Sequence, residues 1–288
     1  MVKLIYNDRI NIKTQMQKTK TCTLLLYCLI SFFVLPRMAV CGEGPLEGVN
    51  MRIRILFDNY NFDDAFESSW GFSCIITMPQ KTILFDTGNN EDILSANMTV
   101  AGIDIGDIDM VFISHAHWDH TGGLLALKDI KAGTPVYVIE SAVDELGGQI
   151  NNIEASIEAV VNPREIMPGV FSTGEMDSDY VNEHSLVVNT GMGGVLITGC
   201  AHPGIVNIVD KAMEITGEKL LLTLGGFHLK DKPPAELEKT ANELNGKTLY
   251  TAPSHCTGDD ARAILREKFG SRFIESGAGK TIELDKLQ

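Results

Sequence analysis

From residue 51 onward, short apolar runs alternate with polar breaks, and the spacing of the apolar positions predicts most of the elements. Residues 51 to 57 set Arg52 and Arg54 between apolar neighbours, the period-two pattern of a half-buried strand. Residues 72 to 78 and 81 to 85 pair as the arms of a hairpin around Pro79-Gln80, and 91 to 98 reads as a short helix. A buried strand over 109 to 113 leads into a turn and helix over 121 to 127, and another strand follows at 135 to 140. Residues 147 to 166 are ambiguous, and 168 to 173 reads as irregular. Farther on, 185 to 189 and 194 to 198 form a hairpin. Helices are predicted at 205 to 215, 234 to 244 and 259 to 269, and strands at 219 to 224, 248 to 252 and 281 to 284. Hairpins interleaved with helices imply a mixed, layered α/β (α+β) domain rather than a purely parallel doubly wound sheet.

The first 41 residues are built differently. They carry Lys3, Arg9, Lys13, Lys18, Lys20 and Arg37 against a single Asp8, a formal +5, which leaves −19 on the rest of a chain whose total is −14. Residues 24 to 35 (LLLYCLISFFVL) are uninterruptedly apolar. This run is short for a membrane span of about 20 residues but suits a secretory signal. Ala39-Val40-Cys41 supplies a small-residue cleavage site. The expected organisation is a signal peptide or N-terminal anchor over 1 to 41, a Gly- and Pro-rich linker over 42 to 50, and one domain over 51 to 288. Export, periplasmic or secreted, is the expectation, with a membrane involved only through an uncleaved N-terminal segment.

Cys22, Cys28 and Cys41 belong to that leader, and Cys74, Cys200 and Cys256 to the domain. Their spacing matches neither a structural zinc site nor a disulfide-dense scaffold. They read as three buried thiols, or as one thiol and a Cys200–Cys256 pair. The acidic domain has no Lys/Arg cluster with interleaved aromatics, which argues against nucleic acid as a partner. A phosphate-loop reading of Gly277-Ala278-Gly279-Lys280-Thr281 fails because Ile274 stands at the required earlier glycine.

The densest chemistry is Ser114-His115-Ala116-His117-Trp118-Asp119-His120, placed where the strand over 109 to 113 ends. Imidazole and carboxylate are the donors that hold zinc and similar ions in open, catalytic sites. Packing alone explains three histidines and an aspartate poorly, because burying so many unpartnered polar groups is costly. His202 and His255 repeat the placement, each ending an apolar strand ahead of a helix.

Phe85-Asp86-Thr87-Gly88, the cluster at 115 to 120, Gly199-Cys200-Ala201-His202-Pro203-Gly204 and Ser254-His255-Cys256-Thr257-Gly258 occur in that order. Together they resemble the metallo-β-lactamase-fold superfamily over about residues 51 to 288. The runs GCAHPGIVN, Gly225-Gly226-Phe227-His228-Leu229 and His255-Cys256-Thr257-Gly258 are similar to its dihydropterin-ribofuranosylaminobenzene-phosphate-synthase-like subgroup. The resemblance implies a four-layer αββα sandwich with two metal ions, Zn2+ first and Mn2+ or Fe as alternatives, at one edge between the sheets. His115, His117 and His202 would hold one ion, and Asp119, His120 and His255 the other. Asp86 would orient the ligand loop by hydrogen bonding.

Many members of the superfamily carry a metal-bridging aspartate after the strand at 219 to 224, where this chain has Gly225-Gly226-Phe227-His228 and no acid. His228 is then a ligand or substrate contact, or else a residue behind the ligands or at the surface. Trp118 and Cys200 are expected to pack beside the metals and do no chemistry, and His184 to be a solvated loop residue. The implied activity is metal-dependent hydrolysis of a small-molecule ester, thioester, lactone or phosphodiester. A metal-held hydroxide with its pKa lowered to about 7 would attack, and Asp119 would both coordinate and accept the proton. The backbone N–H groups near Gly204 would hold an anionic group of the substrate. The alternatives are a transferase or synthase acting on a pterin or aminobenzene-phosphate compound, and a non-catalytic metal-binding module.

Overall fold

Alternation along the strands sorts their side chains onto two faces, and the two sheets they form frame the site. The computed structural model describes residues 50–79 and 81–287. The leader, its three cysteines and all but the last residue of the linker lie outside the described residues.

In the first half of the domain, β1 (Arg52–Phe57), β2 (Ser73–Met78) and β3 (Lys81–Phe85) form an antiparallel meander. Helix α1 (Glu91–Ala101) follows. Asn90 caps it by accepting from the Asp92 and Ile93 N–H groups, and Gly102 ends it in the left-handed conformation. Then come β4 (Met110–Phe112), the one-turn α2 (Trp118–Thr121), β5 (Pro135–Ile139), α3 (Val143–Asn152) and β6 (Ser156–Val160). Strands β3 to β6 run parallel to one another.

The second half begins with the antiparallel β7 (Arg164–Met167), β8 (Val170–Ser172), β9 (Leu186–Asn189) and β10 (Gly194–Thr198). It continues through α4 (Ile205–Thr216), β11 (Leu220–Gly226), α5 (Pro234–Lys247), β12 (Thr248–Ser254) and α6 (Asp259–Phe269), with β10, β11 and β12 parallel. The last strand, β13 (Thr281–Glu283), returns to pair with β1. One sheet therefore runs β13-β1-β2-β3-β4-β5-β6 and the other β12-β11-β10-β9-β8-β7.

Three apolar layers hold the sandwich together. Ile53, Ile55, Phe85 and Phe112 of the first sheet meet Leu186, Val188, Val195 and Ile197 of the second in a shared core. The neighbouring positions Leu84 and Val111 point the other way, toward Leu94 and Met98 of α1 and Leu146 of α3. On the second sheet, Leu196 and Leu220 face Ile208 of α4, Leu244 of α5 and Leu265 of α6. This is a four-layer αββα arrangement, and each fully buried side chain of this size contributes about 1.5–3 kcal/mol.

Three local expectations change. The helix predicted over 121 to 127 is only the single turn α2 followed by a 3-10 turn, Leu124–Leu127, because Gly122 and Gly123 break the run. The segment read as irregular contains β8, a strand of three residues, too short for a period to show. The ambiguous stretch divides into the end of α3, then β6 and β7.

Candidate metal centre

Parallel strands gather their carboxyl ends on one rim, and ligands in such sheets bind beyond those ends. Asp86 follows β3, the 114–120 run follows β4, and Gly199 to His202 follow β10. His228 follows β11, and His255 follows β12. The backbone there is strained. Of the six non-glycine residues with positive φ among the described residues, four are Asp86, Ala201, His228 and His255. Such strain persists where surrounding structure holds it, and it clusters at functional sites.

Two nitrogen-rich donor groups form on this rim, beside a third, sulfur-rich one of Cys200, His228 and Cys256. His115, His117 and His202 offer ring nitrogens within 4.8 Å of one another; Asp119 offers a carboxylate oxygen and His120 and His255 ring nitrogens within the same distance, with the Cys200 sulfur as a fourth member. The ring centroids of His115 and His120 are 4.3 Å apart, so the groups adjoin. His117 is exposed and His202 half-buried, whereas every member of the second group is buried.

Hydrogen bonds from behind set which nitrogen faces inward. Asp86, fully buried, accepts from the Ser114 N–H through Oδ1 (2.7 Å) and from the Ser114 hydroxyl through Oδ2 (2.7 Å). Having donated its only proton, Ser114 Oγ must accept from His115 Nδ1 (2.9 Å), which leaves His115 Nε2 with a lone pair, 3.1 Å from His117 Nδ1. Asp86 Oδ2 also takes His120 Nδ1 at 2.7 Å, and Asn59 Oδ1 takes His255 Nδ1 at 2.9 Å. Both Nε2 atoms then turn toward Asp119.

Electrostatics leave His115 and His202 free for a cation, and place on His120 a proton that a cation must displace. Burial, reinforced by neighbouring imidazoles, pushes His115 well below its ordinary pKa and His202 down to about 4, so both are neutral near pH 7. Burial also pulls on His120, but the Asp86 carboxylate more than offsets it and carries the ring to about 9. Burial works against the ionised form of Asp119, yet the His255 ring, its Nε2 3.2 Å from Oδ2, and the nearby His120 hold its pKa far below the usual carboxylate range. Both ring nitrogens of His202, and Nε2 of His255, are buried without a hydrogen-bond partner. Orphaned buried nitrogens are costly, and a divalent cation would satisfy them. The donor set therefore fits two such ions.

Two residues that the sequence reading passes over organise this rim. Glu183, fully buried, accepts the N–H groups of Gly199, Cys200 and Ala201 on Oε1 (3.0 Å each) and that of His202 on Oε2 (2.9 Å). Burial raises its pKa to about 7 against the pull of those donors. Asp58, at the end of β1, accepts the His255 N–H at 3.2 Å. Neither acid lies in a spaced motif; only the fold brings them to the loops they hold.

Other residues depart from expectation. His184 is not a solvated loop residue. It is fully buried, stacked on Phe112 with centroids 4.0 Å apart, and contacts the Ile113 carbonyl (2.8 Å) and Ser172 Oγ (3.0 Å). Trp118 does not pack beside the centre, being 61% exposed; the tryptophan there is Trp70, 4.9 Å from the His255 ring. Cys74, Cys200 and Cys256 are free, buried thiols. His228 joins neither nitrogen-rich group. Its exposed ring lies 4.4 Å from that of His202 and hydrogen-bonds the Cys256 thiol, which raises its pKa.

Two of the four positions over 225 to 228 that lack an acid are closed to any side chain. A Cβ on Gly225 would stand 2.0 Å from the Thr198 carbonyl oxygen, and one on Gly226 2.4 Å from that of Gly199, so neither position admits a side chain.

Two clefts flank the centre. One, of about 400 Å³, is lined by His202, His228, Lys232, Lys239 and the start of α4. The other, of about 390 Å³, is lined by Trp70, Tyr60, Lys230 and His255.

Comparison with known proteins agrees with this geometry. The chain is 30% identical to a 7,8-dihydropterin-6-methyl-4-(β-D-ribofuranosyl)-aminobenzene-5'-phosphate synthase of Methanocaldococcus jannaschii, over 81% of this chain and 97% of that protein. The crystal structure of Tm1679, described as a metal-dependent hydrolase of the β-lactamase superfamily, matches with a TM-score of 0.69 and 30% identity, covering 81% of this chain and 98% of that one. The metallo-β-lactamase-fold protein YhfI of Bacillus subtilis shares the fold alone, with a TM-score of 0.58 and 16% identity over 81% of this chain and 99% of its own. The family model of the metallo-β-lactamase superfamily matches residues 72–249, from β2 to the first residues of β12 and with them the rim from Asp86 to His228. This chain, with its two layered sheets and its donors at the strand ends, belongs to the metallo-β-lactamase superfamily.

Proposed function

We propose that the protein is a metal-dependent hydrolase that uses two divalent cations, zinc first, on an ester, thioester, lactone or phosphodiester bond of a small molecule. The observation that carries this reading is the pair of adjoining donor groups at the strand ends, His115/His117/His202 and Asp119/His120/His255. Bound cations would supply Lewis acidity and a water made acidic enough to attack at neutral pH.

The chain's own residues do the rest. Asp119, kept ionised by His255 and His120, holds a cation and orients the two rings beside it. The sequence also suggests Asp119 as a proton acceptor, but so depressed a carboxylate is a weak base. His228 is the better proton carrier. Its ring stands at the cleft edge with its pKa raised by the Cys256 hydrogen bond, so it can hand a ring proton to a leaving group. Residues 204 to 207, the start of a helix with no side-chain cap, line the same cleft beside Lys232 and Lys239 and suit an anionic group. Clefts of this size suit a small-molecule substrate.

A second reading draws on the 30% identity to the M. jannaschii synthase: transfer chemistry on a pterin or aminobenzene-phosphate compound. The two readings separate in one set of assays. Metal-stripped protein is reloaded with zinc or manganese and offered chromogenic esters, thioesters, lactones and phosphodiesters, and separately a dihydropterin with a ribofuranosylaminobenzene phosphate. Hydrolysis that needs metal and is lost in His115→Ala and Asp119→Ala supports the first reading. Condensation without hydrolysis supports the second. Metal uptake with turnover of neither set means a binding module.

A further inference from the structure

The buried donor group contains a sulfur. Cys200 Sγ lies 3.2 Å from His120 Nε2. Asp119 Oδ2 lies 3.8 Å from the same nitrogen and 3.2 Å from His255 Nε2. Donors sharing one tetrahedral ion, with bonds of about 2.0–2.3 Å, stand about 3.3–3.7 Å apart, and these separations bracket that range. All four residues are buried, Cys200 at 4% exposure. His255 Nε2 has no hydrogen-bond partner and is turned to this group by Asn59 at its other nitrogen.

The backbone of Cys200 is held from two sides. Its N–H donates to Glu183 Oε1 at 3.0 Å, and the preceding carbonyl, of Gly199, accepts from Gly226 N–H at 3.1 Å. The close approach at Gly226 that excludes an acidic side chain from the end of β11 is thus the approach that secures the sulfur. The two groups also differ in burial, since His117 of the first is exposed and every member of the second is buried.

We propose that Cys200 binds the second cation as a thiolate, together with Asp119, His120 and His255. That site is then closed, and the first, His115/His117/His202, keeps the open position for substrate. Closed four-ligand sites are structural, whereas catalytic ones leave a position free. On metal entry the Cys200 S–H bond and the His120 Nε2–H bond break, both protons pass to solvent, and sulfur–metal and nitrogen–metal bonds form, with no change of oxidation state. A thiolate ligand also biases the site toward zinc, iron or cobalt over manganese. The inference rests on the two-cation reading and refines it.

Cobalt(II) spectroscopy on the full chain tests it independently of activity. Metal-stripped protein is titrated to two equivalents of cobalt while its absorption is recorded. A thiolate-to-cobalt charge-transfer band in the near ultraviolet is expected to grow in over one of the two equivalents. Cys200→Ser should abolish it and weaken one of the two zinc sites by at least about tenfold. Cys256→Ser should leave the band, because that thiol groups with Cys200 and His228 rather than with Asp119. Two bound cobalt ions without the band in the unaltered protein overturn thiolate ligation and leave the two-cation centre standing. A band that vanishes in Cys256→Ser and persists in Cys200→Ser also overturns it. Uptake of fewer than two ions sinks both readings.

Discussion

Glu183 receives four consecutive backbone N–H groups, so its carboxylate sets the path of the loop that carries Cys200 and His202. A Glu183→Gln change keeps the shape but turns an amide N–H2 toward a backbone donor, leaving at least one buried N–H unmet. The expected cost is about 1–3 kcal/mol in urea unfolding, with zinc affinity lower by about 10–100-fold in a chelator competition. Unchanged zinc affinity would show that the acid does not position the ligands. His184 gives a pH signature. Burial presses its pKa from 6.5 to about 3, so between those values the unfolded chain takes up a proton that the folded chain refuses. Stability therefore falls as pH drops below about 6.5, by about 2 kcal/mol on reaching pH 5. His184→Gln should flatten the pH dependence of the urea-derived unfolding free energy by that amount, and equal slopes in the two proteins would refute the assignment. At this scale, the donors at 115 to 120, 202 and 255 are legible because each follows an apolar run, and the fold brings them together. Glu183, Asp58 and Asn59 are not legible. An acid or amide beside an ordinary strand becomes significant only when another segment's N–H groups reach it.

Strand ends position every side chain of the centre, so the joint between β10 and β11 carries more than sheet pairing. Gly225 has φ +117°, where an L side chain is strained, and an added Cβ would meet the Thr198 carbonyl at 2.0 Å. Gly225→Ala is expected to lower the unfolding free energy by at least about 3 kcal/mol and to weaken metal binding by moving Gly199 to His202. Gly246, near the end of α5, is the contrast: a Cβ there meets nothing within 4 Å. Gly246→Ala should stabilise by about 0.5–1 kcal/mol. Thermal unfolding of the pair decides the matter, and a tolerated Gly225→Ala would mean the strands can part without cost. Elements follow the same division between local and distant causes. Helix α6 and the hairpin of β2 and β3 are readable because period and punctuation agree over several residues. The single-turn α2 and three-residue β8 are not, since their form comes from glycine interruptions and from partners on either side.

On the scale of the whole molecule, two sheets from separate halves of the chain each lend donors to one rim. Cations bound there would tie β4 of one sheet to β10 and β12 of the other. The acidic formal charge of the domain favours cation uptake at long range. Neutral, partnerless imidazoles such as His202 make the fold bind cations better than the unfolded chain does. An agent that binds only the folded form at a hundred times its dissociation constant adds about 2.7 kcal/mol. Protein stripped with a chelator is therefore expected to unfold at a lower temperature and lower urea concentration than protein reloaded with zinc. Magnesium, which prefers oxygen donors, should restore little. His115→Ala and His255→Ala, which remove one donor from each group, should each lose part of the zinc-dependent rise, and the double variant should lose most of it. The separate losses follow if the ions sit in two groups, whereas a single shared ion would make either variant abolish the whole effect. Zinc that raised the midpoint equally in the double variant would place its binding elsewhere on the protein and remove the thermodynamic case for a centre on this rim.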